Sequence, residues 1–319
     1  MGHEQVTVVI VCWNAAALLP ECLSRLHAQT HAPARVLVID NGSSDGSQAV
    51  VAQWRGVEWV GLGRNLGFAA ANNIALERTT TPWVALLNPD AFVASDWLES
   101  LLRAARRRPD HAAFGSTQRV HGQPDIMDGL GDVMHCTGLV WRSGHGLRMV
   151  ATADAEVFST CAAAALYRTD AVRDVGGFDA DFFCYLEDVD LGFRLRLRGY
   201  RAMQVADAVV DHVGSATTGG RRSDFSVYHG QRNMVWNFAK NMPTPLLVAC
   251  FVPHVMVNLA LLVRFALAGH ATTAWRAKRD ALAGLPRVWR KRAVVQASRR
   301  LSTLGVWQVL AHGIPTRRR

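Results

Sequence analysis

Three acidic stretches have residue types and spacings suited to chemistry. Asp40 ends a β-branched run and is followed by Asn-Gly-Ser-Ser-Asp-Gly. A carboxylate there accepts hydrogen bonds from the ring N–H of a base or from a ribose hydroxyl. The same residues also suit a tight turn, because Asn-Gly and Asp-Gly are turn formers. Asn88-Pro89-Asp90 places one carboxylate at a strand end, with proline stiffening the approach. Mg²⁺ or Mn²⁺ usually binds through one or two carboxylates plus substrate phosphates, so a single aspartate is sufficient; a strand-to-loop turn is the plainer reading. Glu187-Asp188-Val189-Asp190 holds three acids in four residues. A hydroxyl nucleophile needs a general base, and crowded like charges raise one member's proton affinity. The helix dipole accounts for Glu187 and Asp190, leaving Asp188 as the candidate base. His212 follows an apolar stretch and is either structural or a ligand. Arg232, in His229-Gly-Gln-Arg-Asn233, offers a guanidinium to a diphosphate or to a salt bridge.

The elements that must position these residues are legible in the first hundred positions. Continuous β-branched runs predict buried strands at 7–12, 35–40, 57–62 and 83–87. Helical spacing predicts helices at 18–29, 47–54, 68–77 and 96–107, with Asp96 favouring the last N-terminus. The alternation predicts an α/β fold with a mostly parallel sheet covered on both faces. In such sheets ligands sit beyond the carboxyl ends of the strands, which is where Trp13-Asn14, Asp40-Asn41 and Asn88-Pro-Asp90 fall. Residues 115–154 are glycine-rich and yield no assignable element. Residues 186–199 alternate like a strand and also line a helical face; Asp190 and Arg194, four apart, favour the helix.

Half of the 319 residues are hydrophobic, enough for one large domain or a domain with an appendage. Six cysteines form no CxxC pair and read as reduced thiols of a cytoplasmic protein. No signal peptide is expected from the N-terminus. From Arg264 onward there are thirteen Lys/Arg and one acid, against 22 Lys/Arg and 25 acids before it. Such a basic tail implies an anionic partner. Nucleic acid is the weaker choice, because the charge follows an apolar segment and no recognition motif accompanies it. That segment, 245–263, reads PLLVACFVPHVMVNLALLV. Pro253, His254 and Asn258 favour an interfacial or re-entrant element over a clean span; a buried hairpin or a dimer contact is the alternative. The basic stretch 287–292 and Trp275 and Trp289 suit an anionic leaflet and its headgroups. A dinucleotide-dependent oxidoreductase is disfavoured, since no GxGxxG follows the first strand.

The ordered set VTVVIVCWN (6–14), VLVIDNGSSDGS (36–47), RNLGFAAANN (64–73), LLNPDA (86–91), GGFDADFFCYLEDVDLGFRLRLRGYR (176–201), DHVGSAT (211–217) and YHGQRN (228–233) resembles family 2 glycosyltransferases, within them the bacterial rhamnosyltransferase-like group. The resemblance covers roughly residues 5–240. It implies a GT-A fold, the Rossmann-like mixed sheet of nucleotide-diphospho-sugar transferases, over residues 1–242, with a helical, membrane-associated region at 243–319. It implies that Asp40 binds the nucleotide base with Asn14 beside it and Asn65 and Gly67 holding the nucleotide. It implies that Asp90 and His212 bind Mg²⁺ or Mn²⁺, that Asp188 is the catalytic base, and that Arg232 assists the diphosphate. Glu187 and Asn88 support the site. Asn88 departs from the usual Asp-x-Asp pattern and offers an amide oxygen without charge. The implied reaction is one in-line displacement that inverts the anomeric centre. The donor implied first is dTDP-rhamnose, then UDP- or GDP-sugars, and the acceptor is a polyprenyl-linked saccharide at the cytoplasmic face of the bacterial inner membrane. A basic membrane- or nucleic-acid-binding protein without catalysis is the alternative of another class.

Overall fold

The β-branched runs form the strands expected of them. The computed structural model describes residues 4–214 and 223–313. Its strands are β1 (Val6–Cys12), β2 (Arg35–Asp40), β3 (Val57–Gly61), β4 (Trp83–Leu87), β5 (Ala91–Val93), β6 (His111–Val120), β7 (Gln123–Gly129), β8 (Asp132–Met134), β9 (Val140–Arg142), β10 (Ala155–Val157), β11 (Ala164–Arg168) and β12 (Arg201–His212). The main sheet runs β10-β12-β6-β11-β4-β1-β2-β3, with β5 on β12 and β7 on β6. Its N-terminal half, β4-β1-β2-β3, is parallel. Beyond β4 the sheet becomes mixed, because β11 pairs antiparallel with both β4 and β6.

Both faces are covered, which is why the strands are apolar on both sides. Val6, Val8 and Ile10 pack with Leu19, Leu23, Trp97 and Leu101 from the helices Leu19–His27 and Trp97–Arg107. Val9, Leu37 and Ile39 pack with Ala75, Leu191 and Leu195 from the helices Phe68–Arg78 and Glu187–Leu197. Asp96 occupies the N-cap as expected, though its side chain makes no capping hydrogen bond.

The segment 115–154 is more ordered than its sequence suggests. It carries most of β6 and all of β7, β8 and β9, short strands separated by positive-φ turns at Gly122, Gly131 and Gly138. Three-residue strands are too short to leave a readable period.

The region after residue 242 continues the same core. Phe238, Met242, Val306 and Leu310 pack with Met134, Phe158 and Phe193. Ala311 extends the edge at His135: its N–H donates to Met134 O at 2.8 Å, and its carbonyl accepts from Cys136 N at 3.0 Å. The apolar segment forms two helices, Thr244–Ala249 and Phe251–Phe265, the second separated from Ala271–Ala283 by Gly269 at φ +88°.

The helix Glu187–Leu197 is fixed by charge. Asp190 and Arg194 form the expected ion pair at 2.8 Å, both buried. Asp190 also meets Lys240 Nζ at 2.7 Å and accepts from Asn241 Nδ2 at 2.7 Å. Replacing Asp190 with Ala leaves two buried cations short of a partner, so Asp190→Ala should lose about 3–5 kcal/mol of stability. Urea denaturation checks this; an unchanged midpoint would show that the pair is dispensable.

Candidate active site

Because β4, β1 and β2 are neighbours and parallel, their carboxyl ends open on one edge. Cys12 is in register with Asp40, so the turn after β1 lies against the turn after β2. That second turn is tightly folded. Asp40 Oδ1 accepts from Ser43 N at 3.0 Å, Asn14 Oδ1 accepts from Ser44 N at 2.8 Å, and Asn14 N donates to Ser43 Oγ at 2.9 Å. The turn reading of this motif is therefore realised, at the end of β2.

Asn41, one residue on, carries the next loop. Its Oδ1 accepts from Leu66 N at 2.7 Å and its Nδ2 donates to Asn65 Oδ1 at 2.9 Å; that oxygen also accepts from Gly67 N at 2.9 Å. Gly42 admits this approach, since a Cβ there would lie 2.7 Å from Arg64 Cα. Gly67, at φ +87°, leaves room for Phe183, which a Cβ would meet at 2.6 Å.

A cleft of about 680 Å³ opens here. Asn65, Gly67, Asn88, Asp90, Glu187, Asp188 and His212 line it together, joined by Asn41, Asp132 and Arg142. Asn14 and Asp40 belong to the adjoining turn. Arg232 does not line the cleft. Its Nη2 donates to Asp181 O and Phe182 O, each at 3.0 Å, and its guanidinium lies 4.3 Å from the Trp236 ring centre. It positions the loop that precedes Glu187.

That loop is strained. Phe183, Tyr185 and Leu186 have φ of 65°, 64° and 65°, a conformation costing each non-glycine residue about 1 kcal/mol or more. A buried amide holds it: Asn233 Nδ2 donates to the carbonyls of Phe182 (2.9 Å), Cys184 (2.9 Å) and Tyr185 (2.7 Å). The loop delivers Glu187 and Asp188 to the cleft wall.

On the opposite wall, β5 pairs with the end of β12, placing Asp90 beside His212. His212 Nδ1 lies 2.8 Å from Asp128 Oδ2, and Nε2 lies 3.4 Å from Asp90 Oδ1 without forming a hydrogen bond. Burial disfavours the imidazolium, but the carboxylates of Asp128 and Asp90 outweigh it and raise the ring's pKa. An orphaned imidazole nitrogen facing a buried carboxylate fits a divalent cation. Among the described residues no group of three His/Cys/Asp/Glu suited to a metal occurs, so Asp90 and His212 would share the ion with ligand phosphates. Residues 215–217 of the DHVGSAT motif lie outside the described residues.

The acids at the base of the cleft are pushed toward protonation. Burial raises Asp188, against hydrogen bonds from Ala162 N (3.2 Å) and Val189 N (2.8 Å) and the charge of Arg142. Burial and then Asp188 push Asp132 up to about 7, and burial and Asp188 raise Glu187 well above its ordinary value. Arg142 counters them from β9. Its Nη1 donates to Asp128 Oδ2 at 2.6 Å and its Nη2 to Cys161 Sγ at 3.0 Å. Asp128, Asp132 and Arg142 all come from the segment whose sequence predicts no element. Their only signal there is two aspartates flanking Gly129-Leu-Gly131.

A parallel-to-mixed α/β sheet with an acid-lined cleft at its carboxyl edge defines the GT-A class of nucleotide-diphospho-sugar transferases. The family described as "Glycosyl transferase family 2" matches residues 7–176, and this chain belongs to it. It is 30% identical over 243 residues to the N-acetylglucosaminyl-diphospho-decaprenol L-rhamnosyltransferase of Mycobacterium tuberculosis, covering 68% of this chain and 78% of that protein. It is 25% identical over 203 residues to the poly-beta-1,6-N-acetyl-D-glucosamine synthase of Staphylococcus aureus, covering 62% of this chain and 47% of that one. Among solved structures, the mannosyltransferase PcManGT from Pyrobaculum calidifontis, in complex with GDP-Man and Mn²⁺, superposes with a TM-score of 0.57 at 21% identity, over 95% of this chain and 87% of that one. S. aureus TarS superposes with a TM-score of 0.60 at 14% identity, over 92% and 52%. These two similarities establish the fold.

The raised acids set a pH dependence. A reaction here that needs Asp188 ionised loses rate as pH falls through a value above 3.8, the ordinary aspartate pKa. The acidic limb of kcat/KM should therefore stand above that value; a limb at or below it would show that no such carboxylate limits the rate.

Proposed function

We propose that this glycosyltransferase is an inverting, divalent-cation-dependent enzyme that transfers a sugar to a polyprenyl-linked saccharide in cell-envelope synthesis. dTDP-rhamnose is the donor favoured first. The observation that carries the reading is that Asp188 shares one cleft with the Asp90–His212 pair. The named activity of the mycobacterial relative supports the sugar and the acceptor class.

The residues divide the work. Asp40, Asn14 and the Asn65–Gly67 loop receive the nucleotide, with Asn41 holding that loop in place. Asp90 and His212 would hold Mg²⁺ or Mn²⁺, which would supply positive charge to the leaving diphosphate. Asp188 accepts the proton of the acceptor hydroxyl as it attacks the anomeric carbon. Its raised proton affinity suits that task, and the two backbone N–H groups keep the ionised form accessible. One displacement inverts the configuration. Glu187 and Asn88 support the walls, and Arg232 acts through the loop.

The C-terminal helices support membrane association. The 15-residue helix Phe251–Phe265 exposes Val252, Met256, Leu259 and Val263 along one stripe. Its polar residues, which in sequence seem to interrupt a span, face the protein. His254 Nδ1 donates to Thr137 O at 2.7 Å and its ring stacks on Phe238 at 3.9 Å, while Asn258 Oδ1 accepts from Lys278 Nζ at 2.5 Å. A helix about 22 Å long, polar inward and apolar outward, fits the interface of a bilayer better than its roughly 30 Å core. Exposed Trp275 and Trp289 and the basic residues nearby suit an anionic leaflet. The C-terminal helices are also tied to the helix that carries a cleft residue: His270 and Thr273 donate to Asp224 Oδ1 at 2.7 and 2.9 Å, and the next residue, Phe225, lines the cleft. A lipid-linked acceptor at the cytoplasmic membrane face would present its saccharide there.

Two experiments test this. Asp188→Asn should abolish rhamnose transfer from dTDP-rhamnose while thermal stabilisation by the donor and Mn²⁺ persists; near-normal turnover would remove Asp188 as base. The double substitution Met256→Glu, Leu259→Glu should weaken binding to anionic liposomes at least about tenfold, because burying each such side chain is worth about 1.5 kcal/mol or more. Undiminished liposome binding by a folded double variant would reject this helix as the membrane contact.

A further inference from the structure

Asp128 lies at the end of β7, buried, with its Oδ2 facing two partners at once: His212 Nδ1 at 2.8 Å and Arg142 Nη1 at 2.6 Å. His145 Nδ1, partly exposed, stands 3.5 Å from the other oxygen. We infer that Asp128 is a positioning residue that presents His212 to a divalent cation and joins the cation side of the cleft to the base side. The inference rests on the cation site proposed above.

A neutral imidazole has one N–H and one lone pair, and an ionised carboxylate only accepts. Beside the Arg142 guanidinium, Asp128 is held as an acceptor, so the imidazole proton is fixed on Nδ1. The lone pair then falls on Nε2, which lies 3.4 Å from Asp90 Oδ1 with no hydrogen-bond partner although buried. In the neutral ring, two acceptors facing each other in a buried site repel unless a cation or a second proton lies between them. A carboxylate behind a ligating imidazole fixes both ring orientation and tautomer. Without it, the ring is free to place its proton on Nε2 and donate it to Asp90, closing the ligand pair on itself.

The second arm runs through Arg142. Its Nη2 donates to Cys161 Sγ at 3.0 Å, and the next residue, Ala162, donates its N–H to Asp188 Oδ2 at 3.2 Å. Burial pushes the Cys161 thiol up to about 12, so the sulfur is a neutral acceptor there and Arg142 keeps its charge for the carboxylates. The chain Asp90, His212, Asp128, Arg142, Cys161-Ala162, Asp188 thus crosses the cleft from one wall to the other. Arg142 is the one Lys or Arg among the described residues that line it.

The test reads cation binding rather than turnover. Mn²⁺ is titrated by electron paramagnetic resonance into full-length protein saturated with whichever of dTDP, UDP and GDP stabilises it most. Asp128→Asn, which keeps size and loses charge, should weaken Mn²⁺ binding about 10- to 100-fold. Asp128→Glu should recover part of the loss and serves alone should the amide variant not fold. Nitrogen-15 NMR of His212 in the cation-free protein, at a pH where the ring is neutral, should show the Nδ1–H tautomer in the wild type and a shift toward Nε2–H in Asp128→Asn. Wild-type Mn²⁺ affinity in Asp128→Asn, with affinity lost in His212→Ala, would overturn the role of Asp128. Wild-type affinity in His212→Ala as well would show instead that the cation site itself is misplaced, and the inference would fall with it.

Discussion

Arg142 sits where Asp128, Asp132 and Asp188 would otherwise repel one another in a buried cleft. Each ion taken out of water costs several kcal/mol, and attraction offsets this only where geometry is close and the remaining lone pairs are satisfied. Here the guanidinium reaches Asp128 at 2.6 Å and opposes the rise in proton affinity of both Asp132 and Asp188. Too much compensation would leave Asp188 an ordinary ionised aspartate; too little would leave it protonated. Burial and Arg142 thus pull the Asp188 carboxyl in opposite directions, and burial prevails.

The same logic operates one layer behind. Lys240 is buried between Asp179 and Asp190, and Lys291 and Arg287 from the C-terminal helices reach Asp179 and Asp181. These pairs, with Asn233 and Arg232, fix both ends of the strained loop 183–186. The C-terminal region is therefore part of the support for Asp188 as well as an apolar outer face. Removing it would expose the cluster of Phe238, Met242 and Phe193 and release the loop. Point substitutions on the outward stripe separate the two roles; truncation does not.

Legibility in the sequence tracks how local the determining interactions are. The strands before residue 90 are continuous apolar runs joined by amphipathic helices, and their carboxyl ends carry Asn14, Asp40 and Asp90 as the spacing suggests. The Asp190–Arg194 pair, four residues apart, correctly chose helix over strand. Asp128, Asp132 and Arg142 were not legible, because β8 and β9 are only three residues long and β7 meets β6 with register shifts that break any alternation. β6 itself lies against a distant partner, with Gly115 opposite Gln204 on β12. Arg232 shows a different limit: a guanidinium in the right region has only donors, and whether it meets a phosphate or backbone carbonyls depends on helix packing that no local pattern records. His254 and Asn258 likewise interrupt an apolar run in one dimension and line its inner face in three.

On this reading Asp90 and His212 would form one half of a cation site whose other half is the donor's diphosphate. Anomalous diffraction at the manganese edge, from crystals grown with Mn²⁺ and a bound nucleoside diphosphate, locates the ion directly. The expected result is a single strong peak within ligand distance of the Asp90 carboxylate and His212 Nε2. A nucleotide seated in the cleft with its manganese elsewhere, or with none, would contradict it.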